Sequence, residues 1–188
     1  NYSMVNNSFT EYHGEAISMG EKPSIAISNP SASMRMALAE SIFNLMSAPI
    51  KSLDRVVLSA NWMAACGSNK DDLALREGVE ALSKICCDLD ISIPVGKDSL
   101  SMRSKWVEEG QNFEVKSPLT GVISAMAPVI DTRLAITTEL ESCSNDLYHI
   151  KLTDKQRMGG SILAIIEDQL SLETPDVENA KQIRELFN

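Results

Sequence analysis

Apolar residues recur along this chain at helical spacing in two places. In SASMRMALAESIFNLMSAP (31–49), Met34, Leu38, Ile42 and Leu45 follow at three- and four-residue steps, the spacing that lines one face of an α-helix. Ser31 or Ser33 can cap its first turn, and Pro49 closes it. In DLALREGVEALSKICCDL (72–89), Leu75, Val79, Leu82, Ile85 and Cys86 share a face, Asp71 or Asp72 suits the N-terminus, and Gly78 is a weak point.

Elsewhere the runs are short and rich in β-branched residues. PSIAISN (23–29) predicts a strand followed by an Asn-Pro turn, and LDRVVLSANWMAA predicts a strand entering a loop around Asn61 and Trp62. ISIPV predicts a strand that ends in a loop at Gly96-Lys97-Asp98-Ser99. SMRSKWV and QNFEV predict a hairpin about Glu109-Gly110, and LTGVISAMAPVID (119–131) predicts another strand. Residues 1–10 are polar with scattered apolar positions. After Asp131 the character changes: 137–146 is a polar linker or short helix, LYHIKL and GGSILAIIED read as strands, and DVENAKQIRELFN begins a helix. This order predicts a mixed-sheet α/β domain over 1–141 and the start of a second α/β domain over 142–188.

The 188 residues, 44% of them hydrophobic, suit a globular chain with a substantial core. With 17 basic against 26 acidic residues, a net charge of -9 and no Lys/Arg cluster, a nucleic-acid partner is disfavoured. A small phosphorylated ligand held by backbone N–H groups and a metal is not. No apolar run reaches the roughly 18 residues of a membrane helix, and no signal-peptide pattern opens the chain, so a cytoplasmic protein is expected. Cys66, Cys86, Cys87 and Cys143 show no C-x-x-C spacing, and His13 and His149 are the only imidazoles. Free, buried or half-buried thiols are therefore expected rather than a zinc site.

Two groups could carry chemistry. Glu40 and Asn44 are four apart on the first helix, so their oxygens can converge on one point, as a hard cation such as Mg²⁺ wants; the same spacing also describes a plain solvated face. In Gly96-Lys97-Asp98-Ser99, a glycine, a charge and a hydroxyl adjoin. It is not a Walker A loop, because Ile91 stands where that motif has glycine and Asp98 where it has Ser or Thr. A strand-ending turn with Asp98 bonding its own backbone is the alternative.

Over essentially its whole length the chain resembles phosphoribosylformylglycinamidine synthase in its large single-chain form. The resemblance is carried in order by YHGEAISMGEKPS, MALAESIFNLMSAPI, VVLSANWMAACG, DLALREGVEAL, SIPVGKDSLSMRSKW, SPLTGVISAMAPVIDTR and GGSILA. It implies an ATP- and glutamine-dependent ligase of purine biosynthesis that converts formylglycinamide ribonucleotide to formylglycinamidine ribonucleotide. The family's synthetase region holds two copies of a module shared with aminoimidazole ribonucleotide synthetase, and the sheets of the two first domains pack together.

This chain resembles the first domain of the second copy, and is expected to be part of a longer protein. That copy holds ADP with Mg²⁺ at a structural site, so no catalytic residue is expected here. None of the four cysteines matches the family's glutaminase nucleophile. By the same resemblance Glu40 and Asn44 match two magnesium ligands. A third, an aspartate in the family, falls on Asn1, which keeps an oxygen but no charge. A fourth belongs to the following domain, beyond residue 188. Gly96, Lys97, Asp98 and Ser99 mark the family and are carried as nucleotide contacts. The implied partners are the first module and the glutaminase domain, with a homo-oligomer possible through the sheet near 56–59 and 122–126. A vestigial scaffold without nucleotide is the alternative.

Overall fold

Small residues alternating with larger ones build the first strand pair. In the computed structural model, which describes residues 1–140, 142, 144–170 and 173–188, β1 (Tyr2–Asn6) pairs antiparallel with β2 (Gly14–Gly20). In β2, Gly14, Ala16, Ser18 and Gly20 are buried while Glu15, Ile17 and Met19 are exposed. The remaining strands and α-helices are α1 (Pro23–Ala26), α2 (Pro30–Leu45), β3 (Val57–Met63), α3 (Asn69–Asp88), β4 (Val95–Ser99), β5 (Arg103–Glu108), β6 (Gln111–Lys116), β7 (Thr120–Val129), α4 (Ile162–Ile166) and α5 (Ala180–Phe187).

The sheet runs β1-β2-β7-β3-β4, antiparallel except for β3 with β4, so the fold is mixed α/β as expected. The helices cover one face of it. Met34, Leu38, Ile42 and Leu45 from α2 and Leu82, Ile85 and Cys86 from α3 join Leu58, Ala60, Ile123 and Ala125 of the sheet in one buried cluster. In α3 the inward face is Gly78, Ala81, Leu82, Ile85 and Cys86, while Val79, expected inside, is 42% exposed. Gly78 is not a weak point but a contact. A Cβ there would stand 3.0 Å from Leu119 and 3.1 Å from Met34, so its absence lets the helix lie close.

The predicted hairpin is present as β5 and β6, in register Arg103↔Lys116, with Trp106 stacked on Phe113 at 5.4 Å. Glu109 and Gly110 make its turn with φ of 49° and 80°. At its root Arg103 donates to the carbonyls of Ala65 and Cys66, and Lys116 Nζ lies 2.8 Å from Asp71. Hydrogen bonds from Lys116 and then Ser68 hold the Asp71 carboxyl below its usual range.

Several local expectations need correction. Residues 23–26 are a helical turn and not a strand, because Pro23 stands at the first helical position where its fixed φ and missing N–H fit. Asn29, not Ser31 or Ser33, caps α2, accepting the Ala32 N–H at 2.9 Å. β3 continues through Asn61 and Trp62, since β7 and β4 pair with it on both sides. LYHIKL forms no strand, and residues 162–166 are the helix α4 with Ser161 as its cap. Neither segment pairs with a strand of the sheet, and in 162–166 a helix satisfies the backbone without a partner.

The helix expected in DVENAKQIRELFN is present but begins only at Ala180, and its Ile183 is 1% exposed within the same buried cluster as α2 and β3. The expected domain boundary falls at Glu141, which lies outside the described residues, as does Cys143. Among the described residues no helix is long and apolar enough to cross a membrane.

The described thiols are free, and they differ. Burial pushes Cys86 up to about 11 and also raises Cys66, whose neighbour Asp72 adds to the effect; Cys87 is exposed. Alkylation at pH 8 followed by peptide mass mapping is expected to label Cys87 before Cys86, which reacts only on unfolding. Equal labelling of Cys86 and Cys87 in the native chain would contradict this packing.

Candidate functional site

The site begins where β2 runs out against α2. A Cβ on Gly20 would come 2.6 Å from the Ser41 amide nitrogen and closer still to the Ala37 carbonyl oxygen, so only glycine lets strand and helix approach this far. Ser18 Oγ, two residues earlier, donates to the Ser41 carbonyl at 2.6 Å. This contact brings the polar face of α2 over residues 19–22.

Glu40 and Asn44 use it. Glu40 Oε2 accepts the Glu21 N–H at 2.8 Å, and Oε1 receives Lys22 Nζ at 2.5 Å, with both side chains about one-third exposed. One turn on, Asn44 Nδ2 donates to the Met19 carbonyl at 3.0 Å, which leaves Oδ1 as its ligating atom. β1 and β2 pair Tyr2 with Ser18, so Asn1 stands one step further, level with Met19. Glu40 and Asn44 thus meet at one cleft, while Asn1, level with Met19 on the face turned from α2, does not line it.

Glu40, Asn44 and Lys22 line a cleft of about 360 Å³, with Phe43 beside them and Thr153, Asp176 and Glu178 on the opposite wall. Ion pairs hold that wall. Arg35 bonds Asp176 with two prongs, at 2.7 and 2.6 Å, and Glu178 takes Lys155 at 2.7 Å and Arg157 at 3.3 Å. The Lys155 contact, followed by Arg157, lowers the Glu178 carboxyl below its usual range.

Whether these residues fit Mg²⁺ turns on donor chemistry. Among the described residues no group of three or more His, Cys, Asp or Glu could hold a metal ion. One carboxylate and neutral carboxamide oxygens suit a hard cation whose shell is completed by water and phosphate oxygens. Lys22 now supplies the positive charge opposite Glu40, the balance a bound cation would otherwise provide. With Glu40 already paired to Lys22, these side chains alone do not make a site for a bare ion.

Gly96, Lys97, Asp98 and Ser99 are not a loop. They are four of the five residues of β4, at the sheet edge, and a Cβ on Gly96 would lie 2.5 Å from the Ala60 carbonyl oxygen. Register pairs Asn61 with Lys97 and Trp62 with Asp98, so Lys97 and Ser99 share the open face while Gly96 and Asp98 turn to the other. Lys97 Nζ donates to Ser99 Oγ at 2.9 Å. The strand alternation keeps the four from converging on one ligand. β4 is also three strand spacings, roughly 14 Å, from β2 and the Glu40–Asn44 site.

Sequence reasoning missed Lys22, although GEKPS carries it two residues past the end of β2. It also left unassigned the outer residues of β1 and β2. Val5, Ile17, Met19, Val57 and Val95 are all exposed on the sheet face away from the helices.

A family model described as FGAR-AT PurM_N-like domain matches residues 1–128. Among solved structures, Thermotoga maritima PurL complexed with ADP superposes with a TM-score of 0.54 at 14% identity, covering 73% of this chain and 21% of that one. The same protein complexed with FGAR gives 0.54 at 14%, covering 73% and 20%. PurLQS from Thermotoga maritima gives 0.53 at 15%, covering 73% and 21%. At such identities the likeness is one of fold, and the chain spans about a fifth of the length of the solved chains it matches. With 128 of its 188 residues inside the family model, and with a sheet and helices of the corresponding fold, the chain belongs to the FGAR-AT PurM_N-like domain family.

Proposed function

We propose that this chain is a nucleotide-supporting part of a phosphoribosylformylglycinamidine synthase, an ATP- and glutamine-dependent ligase of purine biosynthesis in the cytoplasm. Residues 1–141 are the first unit of its second PurM-like module, and 142–188 open the following unit. Its task is to hold ADP or ATP through Mg²⁺ and to pack against the other domains, with the chemistry carried elsewhere in the enzyme. The observation that supports this most is the convergence of Glu40 and Asn44 on the end of β2, both lining one cleft. PurL, a protein of the same fold, has been solved with ADP, the ligand class this reading takes for the chain.

A bound metal would supply positive charge to bridge phosphate oxygens. In this chain Glu40 would give it a carboxylate oxygen and Asn44 a carboxamide oxygen. Lys22, released from Glu40, would be free to meet a phosphate. The open face of the sheet, apolar around Val5, Ile17 and Val57, would pack against a second sheet of the same kind, as in the family's paired first domains.

A single carboxylate is a weak claim on Mg²⁺, whose sites draw on carboxylates together with phosphates. Titration calorimetry of the 188-residue chain with ADP and Mg²⁺ is accordingly expected to show millimolar affinity or none, and micromolar affinity would overturn this reading of the isolated chain. A scaffold reading is favoured by one observation: Lys22 satisfies Glu40 without any metal. Glu40→Ala in the full-length synthase separates the two. Weaker ADP binding than wild type, together with a lower melting temperature, supports the nucleotide site, whereas unchanged ADP binding supports the scaffold.

A further inference from the structure

We infer that Arg35 is a positioning residue for the Glu40–Asn44 cleft: it grips Asp176, and with it the far wall, and so sets how that wall stands across from α2 for a bound nucleotide. The inference rests on the reading above that a nucleotide occupies this cleft. Met36, Ala39, Glu40, Phe43 and Asn44 form the α2 side of the cleft, a stripe about 140° wide at roughly 100° per residue. Arg35 stands on the flank of that stripe, outside the cleft, and reaches the wall beside it.

Two prongs, Nε at 2.7 Å and Nη2 at 2.6 Å, take both carboxylate oxygens of Asp176. Only 25% and 22% of the two side chains are exposed. A fork on a carboxylate fixes direction as well as distance, since both planar groups must stay aligned. Among the described residues it is the one ion pair between α2 and the wall, because Glu178 takes Lys155 and Arg157 from its own side. The stretch it grips moves as a piece. Thr174 is buried, Asp176 Oδ1 also accepts the Val177 N–H at 2.7 Å, and Arg157, its side chain 8% exposed, donates to the Asp176 carbonyl at 3.4 Å. Any shift of Asp176 carries Pro175, Val177 and Glu178, which line the cleft.

The pair also decides what charge the wall shows. With Glu40 held by Lys22 and Glu178 by Lys155 and Arg157, Arg35 is the cation that cancels Asp176. Without it an unmatched carboxylate would stand at the cleft and repel the phosphates of a nucleotide. Position and charge are separable by substitution. Arg35→Ala frees the wall and leaves that carboxylate, whereas Asp176→Asn frees the wall and removes it. If charge alone mattered, Asp176→Asn would bind an anion more tightly than wild type. If the place of the wall matters, it binds more weakly.

Hydrogen exchange of the 188-residue chain, read by mass spectrometry, tests the grip on the wall without any ligand. Arg35→Ala and Asp176→Asn are each expected to speed exchange across 173–179 about tenfold, the loss of one charge-assisted fork. Exchange in α2 and α5 stays as in wild type, because α5 has its own ties from Arg184 to Asp54 and from the Leu53 N–H to Asn188. Arg35→Lys, a point charge in place of a fork, is expected to fall between wild type and Arg35→Ala. Titration of the full-length synthase with ADP and Mg²⁺ then reads the cleft, and both Arg35→Ala and Asp176→Asn are expected to bind about tenfold more weakly. Wild-type exchange at 173–179 in Arg35→Ala overturns the grip on the wall. Faster exchange with unchanged ADP affinity, or tighter binding by Asp176→Asn, overturns the positioning role. Glu40→Ala in the same titration keeps the two readings apart: unchanged ADP binding there overturns the nucleotide site and this use of Arg35 with it, while the exchange result still decides whether Arg35 grips the wall.

Discussion

Gly20→Ala is expected to destabilise the chain by about 3 kcal/mol or more, at the upper end of what overpacking costs. The new methyl would stand 2.6 Å from the Ser41 nitrogen and 2.9 Å from Glu40 Cβ, and closer still to the Ala37 carbonyl oxygen. Two of these three neighbours are backbone of α2, which cannot move aside as a side-chain tip can. The helix must lift from β2 instead. That movement breaks the buried Ser18–Ser41 hydrogen bond and carries Glu40 away from the Glu21 N–H. Urea unfolding of the variant measures the loss. A change within about 0.5 kcal/mol of wild type, the usual range for a surface substitution, would mean that β2 and α2 do not meet as described.

Ile183→Ala tests the other end of the chain, with an expected cost of about 2–5 kcal/mol, the range for truncating a large aliphatic side chain in a closed core. Ile183 is 1% exposed, and α5 is tied down around it: Arg184 pairs with Asp54 at 2.5 Å, and Asn188 accepts the Leu53 N–H at 3.1 Å. Leu163→Ala is the control. Leu163, in α4, is 55% exposed, so its truncation is expected to change stability by no more than about 0.5 kcal/mol. Equal small effects from both variants, read in the same urea titration, would show that residues 180–187 do not share the core of the sheet and its two long helices.

Legibility followed the strength of the local signal. α2 and α3 were readable because Leu38 and Ile42, or Leu82 and Ile85, repeat at helical spacing through elements of 16 and 20 residues. The β5–β6 hairpin was readable from its Glu-Gly turn, and β7 from its apolar run. β2 was not, because its inward positions hold small residues, Gly14, Ala16 and Ser18, and β1 was not, because only Tyr2 and Met4 of its five residues face the core. α1 and α4 were misread as strands because Ile25, Ile162 and Ile165 favour strands only where a ladder is on offer. At the site, the four-residue step from Glu40 to Asn44 was visible in the sequence. The Lys22 contact was not, since it joins residues 18 apart across the end of a strand.

By itself the sequence determined the pieces: two amphipathic helices, a hairpin, one long apolar strand, four cysteines without a metal pattern, and a carboxylate and a carboxamide one helical turn apart. Those features follow from periods of two and 3.6 residues and from side-chain chemistry, both local. Only the tertiary structure decided that Glu40 and Asn44 meet the end of β2, because the meeting depends on the missing Cβ of Gly20. Only it showed Gly96, Lys97, Asp98 and Ser99 divided between two faces of an edge strand, because β3 draws that segment into its ladder. The outward turn of Val5, Ile17, Val57 and Asn61 was likewise settled in three dimensions, since a strand's exposed face is defined by which side its helices cover.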